Sequence, residues 1–280
     1  MALYRAPAKI NLALEILGRR PDGFHEIASV IQAVGLYDEL IVSPAKTLQF
    51  ICNSSGLAGS DNLVVRAARA LQAATDCRRG AKLVLRKRIP ISAGLGGGSS
   101  DAATALVALN GLWSLGLTPA ALSRIGAALG SDVPFFLEGP TAVVSGRGEL
   151  VKRLPPPPPG WVVLVRPHQP LSTAAVYGAL RPDYYTDGGR VRRLADDLRR
   201  GSEPDWDACL TNGLESTAVG LCPAILPVYQ ALRDLGAHYV RVSGSGPTVF
   251  ALCAVETEAR QMAAEVQGKG SPDVWAVPFH

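Results

Sequence analysis

The chain has 280 residues, with 28 Lys and Arg against 24 Asp and Glu, a formal net charge of +4, 48% hydrophobic residues and 19% charged residues. These values exclude a disordered chain, and so small a charge excess is no nucleic-acid signature. Glycine (29) and proline (21) exceed ordinary usage without a Gly-X-Y period, which excludes collagen and asks where the excess sits.

The first residues, 1–7, lack the apolar stretch of a signal peptide, and no run of 18 apolar residues follows, so a cytoplasmic protein is expected. Lys9 and Asn11 are two residues apart, which on a strand puts them on one face, flanked by apolar Ile10 and Leu12. That face points into a site or lies on a solvated edge strand. Residues 62–74 predict a helix with Asp61 as its cap, and 82–88 a strand. An Ala- and Leu-rich helix is expected over 101–113, and another from Thr118-Pro119 to Gly130. A short strand, 141–145, runs into a turn at 146–148.

Residues 155–159 are five consecutive prolines. They predict a stiff spacer between two halves, in preference to a ligand for a proline-binding module. Beyond them come a strand (161–166), helices (172–180, 191–200, 206–213, 224–235), two strands (239–242, 248–253), a helix (256–267) and a last strand (273–277). This is the ferredoxin-like split βαβ order with extra helices in the first crossover. The five cysteines are widely spaced, with no CxxC pair, and predict free buried thiols in a reducing compartment.

The strongest local signal is residues 90–103, PISAGLGGGSSDAA, with a strand before and a helix after. Four glycines in five positions are entropically costly and let backbone N–H groups approach an anion unobstructed. A helix N-terminus adds free N–H groups and a positive dipole end, while Ser99 and Ser100 add hydroxyls and a contact for Mg²⁺. The loop reads as a polyphosphate cradle. It is neither a Walker A loop nor the dinucleotide G-x-G-x-x-G, because Ser99 stands where the last glycine is required. A third segment, Ser243-Gly244-Ser245-Gly246-Pro247, joins two strands, and a plain hairpin turn is its competing reading.

In this order the three segments, 6–12, 90–103 and 242–250, resemble the GHMP kinase superfamily from end to end. The resemblance implies an α/β (α+β) fold with a ribosomal-S5-like N-terminal domain (1–154) and a ferredoxin-like C-terminal domain (160–280). Segments 18–26 (GRRPDGFHE) and 130–136 (GSDVPFF) are similar to the branch that uses ATP to phosphorylate the 2-hydroxyl of a cytidine diphosphate-linked methylerythritol, an isoprenoid precursor. Phe24 departs from the tyrosine more usual there, which preserves stacking and loses a hydroxyl contact.

Carried over by position, Asp132 is the catalytic base, although on residue types alone it is an N-cap. Lys9 is its charged partner, and Asn11 holds the substrate. Phe24, His25, Thr173 and Tyr177 belong to the cytidine side. Asn62, Lys87, Pro90, Gly94, Leu95, Gly96, Gly97, Gly98, Ser99, Ser100, Asp101, Gly244 and Ser245 belong to ATP. Mg²⁺ arrives with the nucleotide, so no separate metal site is implied, and neither nucleic acid nor membrane is an expected partner. A monomer or weak homodimer is expected. The alternatives are a homoserine or mevalonate-type kinase, a nucleotide binder without turnover, and an RNA-binding protein using the basic run 86–88. The Gly23-Phe24-His25 segment argues against the first and intact Lys9 and Asp132 against the second. Three basic residues in a strand more often form one solvated face.

Overall fold

The computed structural model describes residues 1–268 and 273–280. The chain opens with two long strands, β1 (Ala2–Arg19) and β2 (His25–Ala45), followed by β3 (Leu48–Cys52), α1 (Leu63–Thr75) and β4 (Gly80–Arg86). Then come α2 (Gly97–Leu112), α3 (Pro119–Ala127), α4 (Val133–Glu138), β5 (Thr141–Gly146) and β6 (Leu150–Arg153). After the prolines follow β7 (Trp161–Arg166), α5 (Thr173–Gly178), α6 (Gly189–Arg200), α7 (Trp206–Cys209), β8 (Thr211–Asn212), α8 (Glu215–Leu221) and α9 (Ile225–Asp234). The chain closes with β9 (Val240–Val242), β10 (Val249–Cys253), α10 (Glu256–Gly268) and β11 (Asp273–Pro278).

These elements form two compact units. The first comprises Met1–Ala8, Leu36–Ile91 and Gly96–Gly139; the second comprises Lys9–Gly35, Ser92–Leu95 and Pro140–His280. The proline run therefore lies within the second unit, and β1 and β2 each contribute residues to both.

In the first unit the end of β2 pairs antiparallel with β4, and β4 parallel with β3. Leu40, Val42, Leu83 and Leu85 of the strands pack with Leu71 of α1 and with Ala102, Ala105, Leu106 and Leu109 of α2. Runs of alanine give α2 a narrow surface that lets a neighbour approach closely. Asn62 caps α1, its Oδ1 accepting from the Val64 N–H at 2.9 Å; the expected cap, Asp61, lies one residue too early. Thr118 caps α3 as its Thr-Pro sequence predicts, and that helix ends at Ala127 before reaching Gly130.

In the second unit, β7, β9, β10 and β11 form an antiparallel sheet in the order β11-β7-β10-β9. Read from β7, this is the 4-1-3-2 order of the ferredoxin-like arrangement, as the split βαβ pattern predicts. Val162 to Val165 are buried on both faces, which explains their unbroken apolar run. The start of β2 pairs with β5, β5 with β6, and β1 lies between β2 and β8.

Several local expectations need correction. Helix α2 begins at Gly97, four residues before 101, so part of the glycine loop is already its first turn. The expected helix over 206–213 stops at Cys209, because Thr211 and Asn212 pair in parallel with Ala13 and Leu14. The strand expected over 82–88 ends at Arg86, and α8 was not expected. Cys52 and Cys77 are half-buried; Cys209, Cys222 and Cys253 are buried as expected, and all five are free thiols.

Candidate active site

In the second unit, β1 has neighbours on both sides and is no edge strand. Lys9 and Asn11 project from one face and are buried, at 5% and 4% exposure. Lys9 Nζ donates to Asn11 Oδ1 at 2.7 Å, Asn11 Nδ2 to Ser29 Oγ at 2.8 Å, and Ser29 Oγ to the Ala13 carbonyl at 2.6 Å. The chain of bonds fixes the Asn11 amide and aims the ammonium.

The three sequence motifs meet beside this pair. The Lys9 N–H donates to the Leu95 carbonyl at 3.0 Å. Ser243 Oγ donates to the Gly94 carbonyl at 3.0 Å, and the Thr248 N–H to the Ala93 carbonyl at 3.4 Å. Gly94 has φ +76°, and a Cβ there would lie 2.1 Å from the Ser243 carbonyl oxygen. At Gly244 (φ +55°) a Cβ would lie 3.1 Å from Asn11 Oδ1 and 3.2 Å from Lys9 Nζ. Glycine is thus needed where the third motif passes Lys9 and Asn11. Asn212 ties this turn down, its Nδ2 donating to the Val242 and Gly244 carbonyls at 2.8 Å each. Ser245 Oγ is 2.8 Å from Thr173 Oγ1. The segment does join a β9–β10 hairpin, but its residues 243–248 are buried.

The 20–25 segment lies in the same unit. Gly23 (φ +85°) allows a tight turn in which the Arg20 N–H donates to the Phe24 carbonyl at 2.8 Å. Phe24 is 53% exposed, with the Arg147 guanidinium 4.8 Å from its ring centre. His25 has Tyr177 at 5.5 Å and Tyr185 at 6.1 Å between ring centres. Burial, with Arg19 nearby, lowers the His25 pKa below its ordinary value and favours the neutral ring. Tyr177 is half-buried and packs on the hydrophobic core while its ring also faces His25.

The first unit holds the other site residues. Gly96 (φ +68°) starts α2 without a capping side chain, leaving the first-turn amides without an internal acceptor. At Gly97 a Cβ would lie 2.9 Å from Ile89 Cγ2 and 3.1 Å from Lys87 Nζ. Gly98 is exposed, so its backbone is open to a ligand. Ser99 sits near Gly130, where a Cβ would be 3.6 Å from Ser99 Oγ. Asp132, half-buried, heads α4 but makes no cap bond from its side chain, which removes the simple capping role. Asn62 has both ends of its amide engaged, Nδ2 donating to the Leu57 carbonyl at 2.9 Å. Pro90 is half-buried just beyond β4.

Lys87 and Asp101 are paired with each other. Lys87 Nζ donates to Asp101 Oδ2 at 2.8 Å and to Asp38 Oδ2 at 2.5 Å. Asp38 is fully buried and also accepts from the Arg88 and Ile89 N–H groups at 2.5 and 2.9 Å. Burial works to lower the Lys87 pKa, but Asp101 and Asp38 outweigh it and the net shift is upward. Burial pushes the Asp101 carboxyl up to about 7, with Lys87 opposing and Asp38 reinforcing. The folded chain therefore holds a proton at Asp101 that the unfolded chain, with its ordinary value of 3.8, releases. Its contribution to stability is full below that value and declines as pH rises through about 7. Replacing Asp101 with Asn removes this slope: thermal melts from pH 4.5 to 7.5 are expected to show the variant gaining on the wild type as pH rises. Parallel melting curves across that range contradict it.

Oxygen donors suited to Mg²⁺ are also here. The buried Ser100 Oγ and Asp101 Oδ1 have no hydrogen-bond partner. Among the described residues no three His, Cys, Asp or Glu side chains are grouped to hold a metal unaided. No described helix is long and apolar enough to cross a membrane.

Sequence reasoning did not single out Asp38, Ser29, Asn212, Glu15 or Tyr185. For Asp38 and Glu15 the available signal was an acid set among apolar neighbours in a strand. For the others, no local signal exists.

The chain matches the models for the GHMP kinases N terminal domain over residues 62–140 and the GHMP kinases C terminal over 190–271. A 4-diphosphocytidyl-2-C-methyl-D-erythritol kinase from Pelotomaculum thermopropionicum is 45% identical over 262 residues, covering 92% of this chain and 91% of the relative. A crystal structure of a 4-(cytidine 5'-diphospho)-2C-methyl-D-erythritol kinase superposes with TM-score 0.85 and 36% identity, covering 99% of each chain. A homoserine kinase from Cytophaga hutchinsonii, at 20% identity and TM-score 0.76 (98% of this chain, 93% of that one), shares the fold alone. With the three motifs, the ferredoxin-like sheet and full-length similarity in agreement, the chain belongs to the 4-diphosphocytidyl-2-C-methyl-D-erythritol kinase family of the GHMP kinases.

Proposed function

We propose that the chain transfers the γ-phosphoryl group of ATP to the 2-hydroxyl of 4-diphosphocytidyl-2-C-methyl-D-erythritol. The observation that carries this is His25, kept neutral and held by Tyr177 and Tyr185 in the unit where Lys9 and Asn11 meet Gly94 and Gly244. A neutral imidazole and aromatic rings suit a nucleobase, which homoserine and mevalonate lack.

Phosphoryl transfer has a loose transition state, so the protein's task is positioning and charge stabilisation. Asp132 takes the proton of the attacking hydroxyl as general base. Lys9 stabilises negative charge on that oxygen, and Asn11, held by Ser29, orients the substrate. Phe24, His25, Thr173 and Tyr177 bind the cytidyl part. The first-turn amides of α2, with Gly94, Leu95, Gly244 and Ser245, receive the phosphates. Asn62, Lys87, Pro90 and Asp101 shape the nucleotide side. Ser100 is the proposed oxygen ligand of a Mg²⁺ that comes with ATP and neutralises phosphate charge. The same proposal divides the chain into 1–154 and 160–280; in support, the two family models fall on either side of the prolines.

A coupled ADP-release assay tests the assignment. Turnover with Mg²⁺-ATP and the cytidyl substrate is expected to exceed that with homoserine or mevalonate by at least about 10⁴ in kcat/KM, as for sites that discriminate through buried polar contacts. Preferred turnover of homoserine or mevalonate overturns it.

A further inference from the structure

Glu15 lies on the same face of β1 as Lys9 and Asn11, and it is 4% exposed. A buried carboxylate is costly unless hydrogen-bonded, and both its oxygens are. Oε1 accepts from Thr186 Oγ1 at 2.9 Å, and Oε2 from the Val191 N–H at 2.8 Å. Val191 is in the first turn of α6, whose cap residue, Gly188, has no side chain to offer. A strand residue 176 positions away thus supplies the anion that a local cap normally provides.

The tethered segment is short and carries an aromatic of the base end. Tyr185 forms a bridge with Ile16, and the Thr186 N–H donates to the Ile16 carbonyl at 2.8 Å. Tyr185 also presents its ring to His25. One anchor of this segment is therefore the β1 backbone, and the other is the Glu15 carboxylate.

We propose that Glu15 is a positioning residue for recognition of the nucleobase, acting through Thr186 and the start of α6 to hold Tyr185 against His25. The inference rests on the proposed function. It locates the effect at the cytidyl end of the substrate and leaves ATP untouched.

Steady-state kinetics on E15A, E15Q and T186V test it, with wild type in parallel. E15A is expected to raise KM for the cytidyl substrate at least tenfold, with KM for ATP and kcat within about twofold. E15Q keeps an acceptor for Val191 and places an amide against Thr186 Oγ1, so it is expected to restore the substrate KM to within threefold of wild type. A merely structural role gives no such split between substrates and no such rescue. T186V removes one hydroxyl from an exposed residue; should E15A fail to fold, this variant carries the test, with an expected rise of about threefold in substrate KM alone. Equal rises in both KM values, or an unchanged substrate KM in T186V, overturn the inference while the kinase assignment stands. Absence of wild-type turnover on the cytidyl substrate removes that assignment, and the inference with it.

Discussion

Replacing Asp132 with Asn is expected to lower kcat by about 10²–10⁴-fold, the usual worth of a general base, with ATP affinity changed by no more than about threefold. This corresponds to roughly 3–5 kcal/mol of transition-state stabilisation. Asn has nearly the same shape, and since Asp132 makes no side-chain cap bond to α4, the helix loses no such contact on substitution. The loss should therefore appear in kcat, with the fold retained. Single-turnover kinetics, nucleotide titration and a thermal melt separate these quantities. A variant that melts well below wild type while retaining its kcat would mean that Asp132 is structural, as its place ahead of Val133-Pro134 first suggests.

Gly94→Ala is expected to be the most damaging single-methyl change in the described chain. A residue with a Cβ at φ +76° costs about 1–2 kcal/mol in backbone strain. The added atom would also sit 2.1 Å from the Ser243 carbonyl oxygen, and a backbone atom cannot rotate away. Overpacking of this kind typically adds about 1–3 kcal/mol. The combined cost predicts a fall in melting temperature of roughly 5–15 °C. Activity should fall further than stability, because the displaced turn is the one that carries Gly244 past Lys9 and Asn11. Gly116→Ala supplies the control: its φ is +67°, but nothing lies within 4 Å of the added Cβ. It should show only the conformational cost and full activity. Equal melting temperatures for the two variants would refute the steric argument.

The two glycine-bearing motifs and the ferredoxin-like half were legible because their signals are local. Runs of glycine, Thr-Pro at a helix start and short apolar strands between turns each carry their meaning within a few residues. The long strands β1 and β2 were not legible over their full 18 and 21 residues. From Lys9 to Ile16 every residue of β1 is buried, so the alternation that marks a half-exposed strand is missing. β2 contains Gly35 and Pro44, which read as breaks. Asp38, Asn212 and Glu15 escaped because their meaning lies in distant partners: Asp38 reaches Lys87 49 residues away, and Asn212 reaches Gly244 32 residues away. The prolines mark the gap between the two family models, yet compactness does not divide there, because β1 and β2 run through both units.

The two-residue repeat by which side chains of β1 return to one face of the sheet has a consequence for substrate length. Lys9, Asn11 and Glu15 occupy one face of a single strand, with the lysine proposed to steady the attacking hydroxyl at one end and the tether of the base pocket at the other. Six residues at about 3.3 Å each span roughly 20 Å. The strand thus works as a ruler graduated in pairs of residues, and its hydrogen-bonded register is the scale. Inserting or deleting one residue between positions 9 and 15 would turn one end of the scale to the opposite face of the sheet while the other stayed in place. Substrates of a different length therefore call for a differently built strand, while changes confined to the loops leave the distance between the two ends untouched.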